Sequence, residues 1–175
     1  MNRHELALVG GPVRDAFLGR TAPDIDCTTS ANPDQILAIV KPLASAHWDI
    51  GRAFGTIGAR FAEDTVEITT YRSDQYRADS RKPEVAFGTD LKEDLFRRDF
   101  TINAIYYNIA DFSLWDFAKG SADLEKRVLR MIGDPETRYR EDPVRILRAI
   151  RFATKLNMDL APATKALIPE LAILL

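Results

Sequence analysis

The stretch 8-LVGGPVRDAFLGRTAPDIDCTTS-30 decides the fold of this chain. It opens with a short apolar run, typical of a buried strand, which ends in the glycine turn Gly10–Gly11. Pro12 suits the first position of a helix, and Gly19 ends that helix. A second strand follows in the segment DIDCTTS. This order of strand, glycine turn, helix and acidic strand is much rarer than any of its parts.

Two aspartates, Asp24 and Asp26, stand one residue apart in the second strand. Side chains alternate along a strand, so both carboxylates project from one face while Ile25 and Cys27 point to the other. Like charges this close repel each other unless a cation lies between them. Mg²⁺ prefers one or two protein carboxylates plus substrate phosphates, and two such ions about 4 Å apart serve phosphoryl transfer. The alternative is a solvated strand edge or a helix-capping role.

The glycine turn before the helix is a candidate phosphate contact. Gly10 and Gly11 let backbone N–H groups approach a phosphate closely, and the start of a helix adds a favourable dipole. Arg14, in the first turn, can grip phosphate oxygens with its planar guanidinium. The alternative is a plain strand–turn–helix connection that carries a surface ion pair of Arg14 with Asp15.

A third carboxylate is predicted on a neighbouring strand. The segments TIGARFA and VEITTYR flank the turn-like EDT and predict a hairpin. In the second segment Glu67 alternates with Val66 and Ile68, which would face the core. Glu67 therefore either joins the two aspartates or is an exposed strand glutamate.

The next segments are predicted to be a polar, mobile loop over residues 72–93 and a helix over residues 94–108. Arg98 and Asp99 lie on this helix. Asn103 follows Asp99 by one turn and can bond to it or to a ribose hydroxyl. A purely structural cluster of ion pairs is the alternative.

The segment EDPVRILRAIRFA predicts an amphipathic helix that Asp142 caps and that carries Arg145, Arg148 and Arg151 at three-residue steps. Its predicted buried stripe consists of Ile146, Ala149, Ile150 and Ala153. A carboxylate beside an arginine suits a base edge with an amino donor next to a ring acceptor, as in cytosine and adenine. Uracil and guanine present a carbonyl to the carboxylate instead and are refused. The remaining arginines can hold a triphosphate, and an ordinary basic helix face is the alternative.

Composition excludes several classes of protein. The 175 residues carry 24 basic and 26 acidic side chains, a net charge of −2, which is no global nucleic-acid signature. No apolar run approaches the ~20 residues of a membrane span, and we expect no signal peptide before MNRHELALVGG. One cysteine, Cys27, excludes an internal disulfide and fits a cytoplasmic location. The separated His4 and His47 argue against a zinc site. Strands over residues 6–71 and helices over 94–175 predict an α+β head followed by a helical neck.

Together these segments resemble the family of class II tRNA nucleotidyltransferases (CCA-adding enzymes) and bacterial poly(A) polymerases. The resemblance covers nearly the whole chain and rests, in order, on LVGGPVRDAFLGR, DIDCTT, FGTIGARF with VEITTYR, RKPEVAF with DLKEDLFRRDFTINA, and GDPETRYREDPVRILRAIRFA. It implies a polymerase-β-like nucleotidyltransferase head, with a small mixed or antiparallel sheet and flanking helices, and a helical neck that recognises the base. We expect the head over residues 1–115 and the neck over residues 116–175, without the body and tail domains of the family.

The resemblance also implies roles for the matching residues. Asp24 and Asp26 would hold two Mg²⁺ ions, with Asp99 and the candidate Glu67 beside them in the catalytic group. The implied nucleotide contacts are Gly11 and Arg14 for phosphates, Arg98 for the sugar, Asp142 and Arg145 for the base, and Arg148 and Arg151 elsewhere on the nucleotide. Gly10 and Asn103 complete the predicted nucleotide site.

Within the family the signals divide. Residues up to about 105 are similar to CCA-adding enzymes, and residues from about 106 are similar to poly(A) polymerases. The basic GRRFR element of the latter is replaced here by GRAFG. Two origins fit this division: a natural sequence intermediate between CCA-adding enzymes and poly(A) polymerases, or a recombined or shortened sequence.

The resemblance implies template-independent addition of CMP and AMP, from CTP and ATP, to an RNA 3′ end. CCA addition to tRNA is the first expectation and poly(A) addition to an mRNA-like primer is the second. A catalytically weak nucleotide-binding fragment is the third. The expected partners are RNA and nucleotides, with no membrane.

Overall fold

The structure, a computed structural model, describes residues 4–77 and 80–175. In this part of the chain the strands are β1 (Leu6–Val9), β2 (Ile25–Thr29), β3 (Ala46–Trp48), β4 (Thr56–Phe61), β5 (Asp64–Thr70), β6 (Arg72–Arg77), β7 (Ser80–Phe87), β8 (Tyr106–Asn108), β9 (Leu114–Trp115), β10 (Val128–Leu129) and β11 (Asp159–Leu160). The helices are α1 (Gly11–Phe17), α2 (Pro33–Val40), α3 (Leu91–Arg97), α4 (Gly120–Glu125), α5 (Pro135–Glu141), α6 (Val144–Leu156), α7 (Pro162–Ala166) and α8 (Ile168–Leu171), with 3₁₀ turns at Arg52–Phe54, Thr101–Asn103 and Ala172–Leu174.

A seven-stranded mixed sheet forms the first half of the molecule, in the order β3-β4-β5-β2-β1-β8-β9. β2 and β5 run parallel, and the other neighbours in this sheet run antiparallel. Helices dominate after β9, and the short strands β10 and β11 pair in parallel between them. The predicted α+β fold class is confirmed.

The two faces of the sheet are covered by different elements. Cys27, Ile57 and Ile68 pack on one face against Ile36 and Val40 of α2. The opposite face packs Ala7 and Val9 of β1 against Leu95 of α3 and Tyr106. A further cluster under α6 joins the helices to the segment after α3, through Phe100, Ile102, Leu129, Tyr139 and Ile146. Asp26 alternates with Cys27, so it lies on the face away from α2.

Local sequence explains where α1 and α2 begin. Asn32 and Gln35 form a reciprocal capping box at the start of α2, and Pro33 takes the first turn. Before α1, Gly10 has φ 73°, a left-handed conformation that favours glycine. The glycine turn and both helix starts therefore agree with the sequence prediction.

Two predicted elements are wrong. The supposed mobile loop over residues 72–93 contains the β6–β7 hairpin and the start of α3, with residues 78 and 79 outside the described residues. The supposed helix over residues 94–108 is α3 as far as Arg97, then extended backbone at Arg98, a 3₁₀ turn and β8. The apolar spacing in this segment resembles that of a helix because most of its residues are buried, whichever direction their side chains take.

Two smaller expectations also differ from the structure. β2 begins at Ile25, so Asp24 lies in a bend just before the strand and is exposed. On α6 the buried face contains Arg145, whereas Ile150 is 47% exposed. Within the described ranges, none of the helices combines the length and apolar character that a membrane crossing requires.

Candidate active site

A cleft of about 640 Å³ lies between the sheet, the β6–β7 hairpin and α6. Six arginines and three aspartates supply its charged lining, so the cleft carries an excess of positive charge. The lining residues are Gly10, Gly11, Arg14, Asp26, Arg72, Tyr76, Arg97, Arg98, Asp99, Asn103, Asp142, Val144, Arg145, Arg148 and Phe152.

The acidic side of the cleft is built on the parallel pair of strands. Asp26 lies directly opposite Glu67 in the register of β2 with β5, so their side chains share one face. Burial raises the pKa of Asp26, and the neighbouring carboxylates of Glu67 and Asp24 raise it further, against the lowering effect of Arg98 and Arg14. Asp24 and Glu67 therefore act on the charge of Asp26, although of these three carboxylates only Asp26 lines the cleft.

This cluster suits a hard divalent cation. Its possible metal ligands are carboxylate oxygens. The negative charges of Glu67 and Asp24 repel that of Asp26, and a cation would neutralise this repulsion. In residues 4–77 and 80–175, no three carboxylate, histidine or cysteine groups gather closely enough to enclose a metal ion. Mg²⁺ needs only one or two protein carboxylates and completes its shell with water and substrate phosphates.

A chain of hydrogen bonds links α1 to α6 across the cleft. Arg14 donates to the Asn103 amide oxygen at 2.8 Å, and the Asn103 amide nitrogen donates to Asp99 at 3.1 Å. Arg148 donates to the other carboxylate oxygen of Asp99 at 2.7 Å. The guanidiniums of Arg14 and Arg148 both lie over the ring of Phe152, at 5.3 and 5.2 Å from its centroid. These four polar residues thus form one network, as the spacing of Asp99 and Asn103 predicted in part.

Two further arginines are held by one buried carboxylate. Asp94 is fully buried and accepts from Arg97 Nε at 2.8 Å and from Arg98 Nη2 at 2.8 Å. Burial alone would raise the pKa of Asp94, but the two guanidiniums outweigh it and hold that pKa below its usual range. The Tyr106 hydroxyl accepts from Arg98 Nε and donates to Asp94. Asp94 therefore fixes Arg97 and Arg98 at the cleft wall.

The predicted base-reading pair lies at the start of α6. The carboxylate of Asp142 accepts from the backbone N–H of Val144 at 3.2 Å, but Pro143 is the N-cap residue of α6, so Asp142 lies one position before the cap and the prediction that it caps this helix is wrong. Arg145 is 4% exposed and donates to the backbone carbonyl of Arg138, to Glu141 and to the Tyr76 hydroxyl. Asp142 and Arg145 both line the cleft, within one turn of each other.

The structure brings most of the predicted site residues together, but not all. Gly10, Gly11, Arg14, Asp26, Arg98, Asp99, Asn103, Asp142, Arg145 and Arg148 line one cleft. Asp24 and Glu67 are exposed next to it, and Arg151 is exposed on α6 outside the lining. The prediction missed Arg72, Tyr76, Arg97 and Phe152. Of these four residues, only Arg97 could have been found from the sequence, because it adjoins the predicted site residue Arg98 in the segment RRDF.

Chemically, the cleft offers three kinds of group to one ligand. Carboxylates on the sheet can hold a cation, arginines can bind phosphate oxygens, and the pair Asp142 and Arg145 can match a base edge. A nucleoside triphosphate with its metal presents all three partners at once.

Comparison with known proteins agrees with this geometry. The family model described as the poly A polymerase head domain matches residues 6–130. The chain is 44% identical to poly(A) polymerase I of Salmonella typhimurium over 184 aligned residues, which cover 98% of this chain and 38% of that protein. This chain belongs to the poly A polymerase head domain family.

Two solved structures of nucleotidyltransferases are similar to this chain. The CCA-adding enzyme of Bacillus stearothermophilus in complex with CTP is 36% identical, with a TM-score of 0.82 over 93% of this chain and 38% of that chain. A tRNA nucleotidyltransferase complexed with a primer tRNA and an incoming ATP analog is 32% identical, with a TM-score of 0.78 over 98% of this chain and 47% of that chain. The chain thus spans less than half the length of these relatives.

Proposed function

We propose that this chain is the catalytic head and neck of a template-independent nucleotidyltransferase that adds CMP and AMP to an RNA 3′ end. One observation carries the proposal: Asp26, paired with Glu67 across parallel strands, faces a cleft that six arginines line. The two relatives of known structure bind CTP or an ATP analog, which supports these nucleotides as substrates. The head would comprise residues 1–115 and the neck residues 116–175.

Asp24 and Asp26 would hold two Mg²⁺ ions, with Glu67 as a third acidic neighbour. When bound, these ions would supply charge neutralisation for the triphosphate and a lowered pKa for the attacking RNA 3′-hydroxyl. The positive lining would orient the triphosphate through Arg14 and Arg148, while Arg98 would contact the sugar. Positioning and charge stabilisation account for most of the catalysis of phosphoryl transfer, so fixed arginines are the main contribution of the chain.

Base selection would fall to Asp142 and Arg145. Asp142 accepts from the exocyclic amino group of cytosine or adenine, while Arg145 donates to the adjacent ring nitrogen. Uracil and guanine place a carbonyl against Asp142 and leave its acceptors unmatched, which costs binding energy. This pair explains how one cleft accepts CTP and ATP and refuses UTP and GTP.

CCA addition to tRNA is the leading activity, because one solved relative is a CCA-adding enzyme, the other is a tRNA nucleotidyltransferase with a primer tRNA, and the GRRFR element is replaced by GRAFG. Poly(A) addition is the second candidate, and the 44% identity to poly(A) polymerase I over nearly the whole chain favours it. A tRNA lacking its CCA end and an oligo(A) primer, each incubated with all four nucleotides, separate the two. Sequencing the products would give C-C-A or an A-tail, and nucleotide binding without extension would indicate a catalytically weak fragment.

The metal assignment has its own test. We expect Asp24→Ala combined with Asp26→Ala to lower nucleotide incorporation more than about 100-fold, the upper range for changes that only touch a metal's outer shell. Primer extension with labelled ATP measures it, and Asp64→Ala is the matched control, since Asp64 is an exposed aspartate on β5 whose side chain alternates to the sheet face away from Glu67. Wild-type incorporation by the double variant would contradict the assignment.

A further inference from the structure

Phe152, on α6, contacts the two arginines that stand at the ends of the hydrogen-bonded network in the cleft. The guanidinium carbon of Arg14 lies 5.3 Å from the centroid of the Phe152 ring, and that of Arg148 lies 5.2 Å from it. The face of an aromatic ring attracts a cation at this distance. Phe152 also lines the cleft, so one uncharged side chain holds two positive charges that come from different helices.

The buried side of the molecule fixes the orientation of this ring. Phe100 is fully buried and packs against Phe152 in a T-shaped arrangement, with the ring centroids 5.9 Å apart and the ring planes at 79°. Aromatic pairs prefer this geometry. Phe152 therefore cannot turn away from the two guanidiniums without losing its contact with the core.

Both guanidiniums keep donors for a ligand. A guanidinium carries five N–H groups. Arg14 uses Nε and one hydrogen of Nη1 for bonds inside the protein, whereas a Cβ added at Gly11 of the glycine turn would lie 3.9 Å from its Nη2. Arg148 uses Nε and one hydrogen of Nη2 for a single oxygen of Asp99. The other N–H groups of both arginines have no acceptor within residues 4–77 and 80–175, so a phosphate can accept from them.

We propose that Phe152 is a positioning residue for the triphosphate, because its ring keeps Arg14 and Arg148 in place with their free N–H groups toward the phosphates. The inference rests on the proposed function, in which these two arginines orient the triphosphate. An aromatic ring suits this task better than a carboxylate does. It attracts both cations through its face, whereas a carboxylate would accept the N–H groups that the phosphates need.

The test compares two substitutions of the ring. Phe152→Leu keeps an apolar side chain without the aromatic face, and Phe152→Tyr keeps the face. Phe17→Leu is the matched control, since Phe17 is half-exposed on α1 and lines an apolar groove away from the cleft. Equilibrium titration of each protein with ATP and with AMP, both with Mg²⁺, gives the dissociation constants.

We expect Phe152→Leu to weaken ATP binding about tenfold, in the range for the loss of two cation–π contacts. AMP binding should change little, because AMP lacks the two terminal phosphates. Phe152→Tyr and Phe17→Leu should keep the wild-type affinity for both nucleotides. A fluorinated phenylalanine at position 152 keeps the shape of the ring and weakens its attraction for cations, so it should reproduce the loss in Phe152→Leu. Melting temperatures show that each protein is folded.

The outcomes separate this inference from the proposed function. Wild-type protein that binds ATP no more tightly than AMP contradicts the triphosphate role of the arginines, and the inference with it. Wild-type protein that prefers ATP, with the same preference in Phe152→Leu or in the fluorinated variant, overturns the role of Phe152 alone. An equal loss of affinity for ATP and AMP would also overturn it, since that pattern indicates a merely structural contact.

Discussion

At the scale of single residues, the position of Asp26 lowers the stability of the folded protein. Burial and the carboxylates of Glu67 and Asp24 raise its pKa in the folded protein. The unfolded chain therefore loses this proton at a lower pH than the folded chain does. Between the pKa of Asp26 in the unfolded chain and its higher pKa in the folded protein, the free energy of unfolding falls as pH rises. The ionised carboxylate therefore destabilises the metal-free protein at neutral pH. Function, rather than packing, accounts for a charge in this position.

We accordingly expect Asp26→Asn to raise the melting temperature of the metal-free protein at neutral pH while it abolishes nucleotide addition. A domain of this size gains about 2–4 °C for each kcal/mol of relief. The gain should shrink as pH is lowered, because Asp26 of the wild type then takes up a proton. Thermal unfolding across pH measures it, with Asp64→Asn as the control, and a lower melting temperature for Asp26→Asn would contradict the repulsion.

Cys27 shows the opposite case, a residue whose chemistry the fold suppresses. Burial, aided by the charge of Asp26, raises the pKa of the Cys27 thiol to about 12. The thiol is therefore protonated at neutral pH and packs as a small apolar side chain against α2. The alternation that points Asp26 toward the cleft is the same one that points Cys27 into the core.

At the scale of elements, α4 is fitted against the 3₁₀ turn that follows the RRDF segment. A Cβ added at Gly120 would lie 2.2 Å from the backbone carbonyl oxygen of Thr101, and backbone cannot move aside as a side chain can. Thr101 also donates to the buried Asp123 at 2.8 Å, which holds the turn onto the same helix. The turn carries Asn103 of the cleft network, so α4 supports the site from behind.

Gly120→Ala should therefore destabilise the protein by about 1–3 kcal/mol or more, as overpacking does. The matched control is Gly88→Ala, whose added Cβ would come within 2.9 Å of the far end of the flexible Glu93 side chain and no closer than 3.9 Å to the Asp90 backbone nitrogen. Chemical denaturation of both variants provides the comparison. Equal stability of the two variants would contradict this prediction, because it would show that the backbone at Thr101 shifts at little cost to make room for the added Cβ.

The elements also show which features the sequence could predict. Asp26 and Glu67 were predictable as neighbours. Each alternates with an apolar residue that faces the core, Cys27 or Ile68, so both carboxylates project from the other face of the sheet. The β6–β7 hairpin was not, because a two-stranded ribbon away from the main sheet needs no apolar alternation. Tyr76 and Phe152 were missed for a related reason. Their roles come from contacts with Arg145 and Arg148 that only the tertiary fold creates.

At the scale of the whole molecule, the sheet and the helical half are joined through the RRDF segment. The buried Arg138 of α5 donates to the carbonyls of Arg97 and Arg98 at 3.0 and 2.8 Å. Phe100 pairs with Met131 in an isolated bridge, and its ring packs in the cluster under α6. The site spans this junction, so its geometry depends on both halves.

The two halves should unfold together. Trp48 and Trp115 both lie in the sheet, so tryptophan fluorescence reports on that half. Far-ultraviolet circular dichroism is dominated by the helices, and most helical residues lie after β9. We expect the two signals to give the same denaturation midpoint. A clear separation of the two midpoints would contradict the coupling through Arg138 and Phe100.

The parallel pairing of β2 with β5 also governs how the site is made during synthesis. Asp26 leaves the ribosome well before Glu67, and α2, β3 and β4 must emerge before β5 can join its parallel neighbour. The arginines of α3 and α6 come later still. A nascent chain that ends after β5 thus exposes Asp24, Asp26 and Glu67 without the arginines of α3 and α6, which lie across the cleft in the complete fold. Since distant pairings form late in folding, we expect nucleotide binding to be among the last properties that the growing chain acquires.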